Sequence, residues 1–136
     1  MVALSAPVQA LLGTDAVAHV WTTNRDGSPQ VSVVWVLVDD DEIVFGADAA
    51  SRKVRNIREN ARVVLSVEDD VRNHKGYQHH LVVHGRAAVH PGPDPALMDR
   101  LARKYLGLSR HPLALRDSPT SVVVRVGVER VAGVGP

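Results

Sequence analysis

The chain has 136 residues, a formal net charge of +1, 45% hydrophobic residues and no cysteine. This length predicts one domain over residues 1–136, and the lack of cysteine excludes disulfides and thiolate metal sites. The near-neutral charge does not favour nucleic acid, no apolar run approaches the roughly 20 residues of a membrane span, and residues 1–12 do not resemble a signal peptide, so we expect a cytoplasmic protein.

Short valine-rich runs bounded by turn residues are typical of β-strands. The first three such runs are residues 16–23, 30–38 and 43–47. Gly27 can adopt the positive φ that a tight turn between the first two runs requires, and the acidic residues 39–42 form the next turn. Strands joined by such turns predict an antiparallel meander of three strands.

The spacing of apolar residues changes to that of a helix in residues 51–60, where Ser51 is suited to the N-cap. The other predicted elements are strands at residues 62–68, 77–90 and 120–128, a helix at residues 94–106 and a short helix at residues 5–12. Gly85 predicts a bulge within its strand. About six antiparallel strands with two main helices predict a mainly β barrel or sandwich, and no strand is followed by a glycine-rich phosphate motif.

The start of the first main helix is rich in basic residues. Arg52, Lys53 and Arg55 lie within the first five positions counted from Ser51, although the helix dipole disfavours cations there by about 0.3–1 kcal/mol each. A bound phosphate would satisfy the free backbone N–H groups, the Ser51 hydroxyl and the basic side chains together. The alternative is a solvated basic face on a surface helix, and the pattern favours the phosphate.

The strand predicted at residues 30–38 alternates two kinds of side chain. One side carries Gln30, Ser32, Val34 and Val36, and the other carries Val31, Val33, Trp35 and Leu37. Such a strand can line a cofactor ring and pair with its edge through backbone groups. The alternative is a hairpin strand with a mixed face, and the spacing alone favours this alternative.

Seven histidines raise the question of a metal site, above all the four at His74, His79, His80 and His84. His80 and His84 share one face of a strand, but four residues at about 3.3 Å each place them roughly 13 Å apart, which is too far for one ion. His79 faces the other way. We therefore predict a solvated or interface strand and no metal. The sequence also lacks a nucleophile motif, so it indicates no catalytic side chain.

Several segments resemble, in chain order, the pyridoxamine phosphate oxidase-like split-barrel family. The segment Asp26-Gly27-Ser28-Pro29-Gln30-Val31-Ser32 with Trp35 resembles the family hairpin, and residues 51–60 resemble its phosphate-binding helix. Residues 62–67, the segment His84-Gly85-Arg86-Ala87 and the ending at residues 128–136 are also similar to the family. Two features depart from it, the polar Gln78-His79-His80 stretch and the absence of proline at Gly127 or Val128.

Within that family the chain is similar to the small branch that uses the deazaflavin coenzyme F420. The resemblance implies a split β-barrel of six or so antiparallel strands, forming a homodimer with cofactor sites at the subunit interface. It implies that the phosphate is held by Ser51, Arg52, Lys53, Arg55 and Asn56. It implies that the ring is flanked by Gln30, Val31, Ser32 and Trp35, and that Tyr77 and Arg86 approach the partner's site.

The function that this resemblance implies is an oxidoreductase that passes a hydride from reduced F420 to a small unsaturated organic substrate. The cofactor performs the chemistry in such an enzyme, and the protein binds and orients it. Arg58, Arg62 and Arg72 are suggestive of contacts to the acidic tail of F420. The alternatives are an FMN-dependent oxidase or reductase of the same fold and a non-catalytic protein that binds flavin or haem.

Overall fold

The computed structural model describes residues 1–134, which form seven strands and three α-helices. The strands are β1 (Ala18–Thr23), β2 (Pro29–Val34), β3 (Leu37–Asp39), β4 (Glu42–Asp48), β5 (Arg62–Arg72), β6 (Gln78–Pro91) and β7 (Ser121–Val134). The helices are α1 (Ala6–Leu12), α2 (Arg52–Glu59) and α3 (Pro95–Leu106), with a 3-10 turn at Ala114–Arg116. Gly135 and Pro136, which end the C-terminal family motif, lie outside the described residues.

All seven strands belong to one antiparallel sheet of order β2-β1-β5-β6-β7-β4-β3. The hairpin of β1 and β2 is confirmed, as is the turn at residues 39–42 that joins β3 to β4. The predicted three-stranded meander is wrong, however. The chain leaves the first hairpin at Trp35 and Val36, so β3 pairs at the opposite edge of the sheet from β2.

This division of the predicted strand closes the sheet. β2 and β3 are the outermost strands of the sheet, yet Val34 and Leu37 are three residues apart and can be separated by at most about 11 Å. The two edges must therefore approach each other, which requires the sheet to curl. The mainly β split-barrel fold predicted from the sequence is confirmed.

Apolar side chains fill two cores on opposite faces of the sheet. The barrel interior is packed with residues such as Val20, Phe45 and Leu65, all fully buried. A second cluster lies outside the barrel, where Val44 and Val123 meet the apolar face of α3. Because β4 and β7 are covered on both faces, their valine runs are nearly continuous rather than alternating.

The ends of α3 and the bulge at Gly85 agree with the sequence pattern. The Asp94 carboxylate accepts a hydrogen bond from the Leu97 N–H at the start of α3, and Gly107 ends that helix with φ of 70°. At Gly85 the pairing of β6 with β7 shifts register, so the predicted bulge is confirmed. A Cβ atom at Gly85 would lie 2.5 Å from the Gly127 carbonyl oxygen. Among the described helices, none is long and apolar enough to cross a membrane.

Candidate functional site

Helix α2 begins without a side-chain cap. Ser51 is its N-cap residue, as predicted, but its hydroxyl donates to the Asp48 carbonyl oxygen (2.7 Å) and accepts no hydrogen bond from the helix. The first backbone N–H groups of α2 therefore lack both an intrahelical and a side-chain partner. Together with the helix dipole, these groups favour an anion at this end of the helix.

A cavity of about 310 Å³ opens beside this helix start, and we call it the Trp35 cavity. Its walls come from the end of β2, the end of β4, the start of α2, the inner face of α3 and the loop after α3. The lining residues are Val33, Val34, Trp35, Gly46, Ala47, Asp48, Ser51, Lys53, Met98, Leu101, His111, Leu113 and Leu115. The walls are mostly apolar with a few polar groups, which is typical of a small-molecule site.

Lys53 supplies the positive charge of the Trp35 cavity. Its side chain is half-buried, and burial lowers the pKa of the ammonium group. Within residues 1–134, no carboxylate oxygen lies within 4 Å of that ammonium. The neighbouring Asp48 carboxylate is engaged elsewhere, since it accepts hydrogen bonds from the Ala50 N–H (2.8 Å) and the Thr120 hydroxyl (3.0 Å), which lower its pKa. An anionic ligand would pair with Lys53.

The remaining basic residues near the start of α2 face another side of the helix. Arg52 and Arg55 line a separate cavity of about 230 Å³ with Arg25, Asn56 and Glu59. Glu59 is already paired with Arg25. Successive side chains of a helix point in directions about 100° apart around its axis. The five residues predicted to form one phosphate site are therefore divided between two cavities, with Ser51 and Lys53 in one and the other three in the second.

Trp35 is held in place where the chain crosses from β2 to β3. Its indole stacks on Tyr105 of α3, with ring centroids 5.1 Å apart and an interplanar angle of 7°. The Tyr105 hydroxyl accepts a hydrogen bond from the Val36 N–H (3.1 Å) and donates to the Ala16 carbonyl oxygen (2.9 Å). The Lys104 ammonium donates to the Val36 carbonyl oxygen (2.6 Å), and burial lowers the Lys104 pKa to about 8.

An ion pair fixes the loop that forms the far wall of the cavity. Arg116 binds both carboxylate oxygens of Asp99, through Nε (2.8 Å) and Nη2 (3.0 Å). The same carboxylate accepts a hydrogen bond from the His111 backbone N–H (2.9 Å). These bonds lower the pKa of Asp99 to about 2, with the Arg116 hydrogen bonds as the main cause. They anchor His111 in a T-shaped contact with Trp35, with ring centroids 5.8 Å apart.

A hydrogen-bonded chain ties α2 to the first hairpin. The Asn56 amide donates to Thr22 Oγ1 (3.0 Å) and Asn24 Oδ1 (2.9 Å), and Thr22 Oγ1 donates to Gln30 Oε1 (2.7 Å). Asn56 is 2% exposed. Both of its amide hydrogens are occupied, so the geometry gives it a positioning role and no support for the predicted phosphate contact.

The other predicted ring residues of β2 lie outside the Trp35 cavity. Val31 is 46% exposed on the outer face of the sheet. Ser32 faces the opposite way, and among the described residues its Oγ is the one enclosed side-chain oxygen or nitrogen without a hydrogen-bond partner. Of the four residues predicted to flank the ring, only Trp35 lines the cavity, and the roles of the other three stay predictions.

Neither Tyr77 nor Arg86 lines the Trp35 cavity. Tyr77 is 62% exposed in the turn between β5 and β6, and Arg86 is exposed on β6, opposite Arg62 of β5. Nine residues of extended chain separate them by about 30 Å. Arg72 lies at the same end of β5 as Tyr77, where it donates to the Gly76 carbonyl oxygen (3.0 Å), far from Arg62.

The histidines of β6 make separate contacts. His84 Nε2 lies 3.0 Å from Arg130 Nη2, and His79 Nδ1 lies 3.7 Å from Asp69. His80 Nδ1 lies 3.0 Å from the Gln78 carbonyl oxygen. In the part of the chain that the structure describes, no three His, Cys, Asp or Glu side chains are grouped as metal ligands.

Sequence reasoning missed Thr22, Tyr105 and His111. Thr22 lies in a predicted strand, and Tyr105 lies in a predicted helix. Both fit the residue spacing of their elements, so nothing in the sequence pattern singles out their hydroxyl groups. His111 lies in the irregular stretch between α3 and β7, where no periodicity assigns a direction to a side chain. Thr22 is positioned by Asn56, which is 34 residues away along the chain, and Tyr105 by the Ala16 carbonyl oxygen, which is 89 residues away.

The family model for pyridoxamine 5'-phosphate oxidase matches residues 4–135. The chain belongs to this family. Family membership indicates flavin-type oxidoreductase chemistry. No curated protein sequence matches the chain.

Solved structures agree with the family assignment. A structure described as an F420 reductase is 27% identical, with a TM-score of 0.80, and the match covers 95% of this chain and 98% of that one. A conserved hypothetical protein of Mycobacterium tuberculosis is 22% identical, with a TM-score of 0.77 and coverage of 98% and 85%. General Stress Protein 26 of Bacillus anthracis is 17% identical, with a TM-score of 0.68 and coverage of 93% and 90%. The last two likenesses show the fold.

Proposed function

We propose that this protein is an oxidoreductase that uses coenzyme F420 for hydride transfer to an unsaturated organic substrate. The observation that carries the proposal is the Trp35 cavity. There the uncapped start of α2 and the Lys53 ammonium, which makes no ion pair within residues 1–134, lie beside an indole and apolar walls. A ligand with a phosphate and a ring matches this arrangement. The likeness to a structure described as an F420 reductase supports the choice of cofactor.

The chain's own groups fit the phosphate part of such a cofactor. Lys53 and the first N–H groups of α2 would hold the phosphate, and Trp35 would pack beside the ring. Arg52 and Arg55 lie on the other side of α2 and would contribute mainly to the positive potential around the helix start. When bound, reduced F420 supplies the hydride. The protein binds and orients the cofactor and excludes water through the apolar walls.

We also propose that the protein is a homodimer with cofactor sites at the subunit interface. Val31 and Val33 are 46% and 57% exposed on the outer face of β2. They lie opposite Trp21 and His19 of β1, so the apolar surface extends across two strands. In such a dimer, as the family resemblance implies, Tyr77 and Arg86 of a second copy would approach the first copy's cofactor, and neither residue lines the Trp35 cavity of its own subunit.

FMN in the same site is the second candidate. It also combines a ring with a phosphate, and the family model is named for pyridoxamine 5'-phosphate oxidase. The Trp35 cavity, at about 310 Å³, accommodates a ring and does not by itself separate the two cofactors. A third candidate is a protein that binds flavin or haem in this cavity without catalysing a reaction.

Titration with F420 and with FMN at moderate salt, followed by fluorescence, tests the proposal. We expect tighter binding of F420, and at least tenfold weaker binding by the double variant Lys53→Ala/Arg55→Ala. Tighter binding of FMN, together with turnover that consumes oxygen, would favour the second candidate. Unchanged affinity in the double variant would remove the proposed phosphate site.

Light scattering after size exclusion tests the assembly. We expect a mass twice that of the 14.7 kDa chain. An obligate interface of this kind typically buries about 2,000 Å² or more, which is enough to keep the two chains associated during the measurement. A mass of one chain, with and without cofactor, would contradict both the dimer and the shared site.

A further inference from the structure

His111 is a buried polar residue in the wall of the Trp35 cavity, on the side opposite Lys53. It lies on the loop between α3 and β7, is 5% exposed and contributes to the cavity lining. Most of the other side chains on this wall are apolar. A buried polar side chain at a cavity surface has lost most of its water, so each of its polar atoms needs a partner.

The position of the His111 ring is tightly determined. Its backbone N–H donates to Asp99, whose carboxylate is itself held by the Nε and Nη2 groups of Arg116. The imidazole makes a T-shaped contact with Trp35, at an interplanar angle of 63°. These contacts come from α3, the loop and the crossing between β2 and β3, so the ring is fixed from three directions.

One ring nitrogen of His111 is already engaged. The Leu113 backbone N–H donates to Nδ1 at 3.1 Å, so Nδ1 acts as the acceptor. In a neutral imidazole the proton then resides on Nε2, which is a hydrogen-bond donor. No hydrogen bond from Nε2 to another group occurs within residues 1–134, and the enclosed atom without a partner there is Ser32 Oγ. His111 Nε2 is therefore accessible, and His111 is one of the residues that line the Trp35 cavity.

The other polar groups of the cavity leave few free donors. The Ser51 hydroxyl donates to the Asp48 carbonyl oxygen, and the Asp48 carboxylate is occupied by Ala50 and Thr120. Within residues 1–134, the side-chain donors of the lining that remain for a ligand are the Lys53 ammonium, the Trp35 indole N–H and His111 Nε2–H. A complementary ligand therefore carries an anionic group, an apolar body and a separate hydrogen-bond acceptor.

We propose that His111 Nε2–H donates a hydrogen bond to an acceptor atom, a carbonyl oxygen or a ring nitrogen, of the ring system bound in the Trp35 cavity. This inference rests on the proposed function, because it takes the ligand to be a flavin-type ring with its phosphate at Lys53. His111 is then a binding residue that sets the orientation of the ring, with Asp99 and Arg116 as positioning residues behind it.

The tautomer can be measured without any ligand. In ¹⁵N-labelled wild-type protein at neutral pH, long-range ¹H–¹⁵N correlation spectra assigned with His111→Asn should show the Nε2-protonated form of this ring. The matched control is His74, which is exposed in the turn between β5 and β6 and should show averaging between tautomers. A proton on Nδ1 of His111 would overturn the proposal.

The hydrogen bond to the ligand is tested by titrating F420 and FMN against two variants. In His111→Asn, the side-chain oxygen can still accept the Leu113 N–H but residue 111 no longer has a donor at the position of Nε2, so we expect about five- to tenfold weaker binding. In His111→Gln, the amide nitrogen reaches the position of Nε2, and we expect most of the affinity to return. His74→Asn is the matched control and should bind like wild type.

The outcomes separate this inference from the proposed function. Wild-type protein that binds neither cofactor would contradict the proposed function, and the donor role with it. Wild-type binding that His111→Asn leaves unchanged, with its melting temperature also unchanged, would overturn only the donor role. Equal losses in His111→Asn and His111→Gln, with intact folding, would also overturn it, because the donor would then not matter.

Discussion

The two walls of the Trp35 cavity are built in different ways. The α2 wall presents Ser51 and Lys53 from one continuous segment, on a helix start that carries charge and lacks a cap. The α3 wall presents Leu101 and Met98 from the helix and His111 from the following loop, clamped by a carboxylate and a guanidinium 17 residues apart. The first wall supplies charge, and the second supplies shape and one directed polar group.

Because of this difference, we expect substitutions in the two walls to affect different properties of the protein, ligand binding in one case and stability in the other. Loss of charge from the α2 wall should weaken ligand binding without affecting the fold, because Lys53 is half-buried and makes no ion pair within the described residues. Loss of packing from the α3 wall should affect stability first, because its side chains belong to the outer core of the protein. The following changes separate these two effects.

Leu101→Ala should have the largest effect. Leu101 is 2% exposed in the outer core, and truncation of such a residue costs about 2–5 kcal/mol of unfolding free energy. Leu106→Ala, at the 48% exposed end of the same helix, is the control and should cost about 1 kcal/mol or less. Urea denaturation measures both, and equal losses would contradict the packing role assigned to the α3 wall.

Lys53→Ala should weaken cofactor binding by about tenfold or more, which corresponds to about 1.4 kcal/mol, with little change in melting temperature. Arg55→Ala is the matched control on the same helix. Arg55 faces the other cavity, so its loss should weaken binding by less than about threefold. The reverse order in a fluorescence titration would place the phosphate on the Arg52 and Arg55 side of α2.

The caps of the two helices provide a smaller test. Asp94 accepts the Leu97 N–H at the start of α3, so Asp94→Ala should cost about 1 kcal/mol of stability, as N-cap loss typically does. The Ser51 hydroxyl makes no such bond to α2, so Ser51→Ala should cost less. Thermal denaturation compares them. A larger loss for Ser51→Ala would mean that its hydroxyl caps α2 in solution.

Removal of the Asp99 clamp should lower stability above about pH 4 and make stability less dependent on pH in acid. Its pKa is lowered to about 2 by the Arg116 hydrogen bonds, from 3.8 in the unfolded chain. A lowered carboxylate pKa stabilises the folded state fully above about pH 4, and the stabilisation is lost as the pH falls toward 2. Asp99→Asn should therefore show a flatter loss of stability between pH 4 and pH 2.

Asp117→Asn is the control for this experiment. Asp117 also pairs with Arg116, but it is 58% exposed, and exposed ion pairs contribute little. Its acid denaturation curve should match that of wild type. If Asp99→Asn also matched wild type in this range, the clamp would not hold the loop in solution.

The candidate site was only partly predictable. The helix at residues 51–60 and its basic start could be recognised because both the apolar spacing and the charges are local. The division of its basic residues between two cavities could not, because it depends on what packs against each side of α2. The hydrogen bonds of the Asn56 amide could not be predicted for the same reason, since its acceptors Thr22 and Asn24 lie on a hairpin more than 30 residues away along the chain.

The sequence by itself determined the kind of fold, the positions of most strands and helices, the turns at Gly27 and residues 39–42 and the bulge at Gly85. Those features depend on residue spacing and backbone preferences within a few residues. Only the tertiary structure decided that the strand at residues 30–38 breaks at Trp35 and Val36 and closes the barrel. Only the tertiary structure placed His111 in the cavity wall, because burial and hydrogen-bond partners arise from segments that are distant in sequence and meet only in the folded chain.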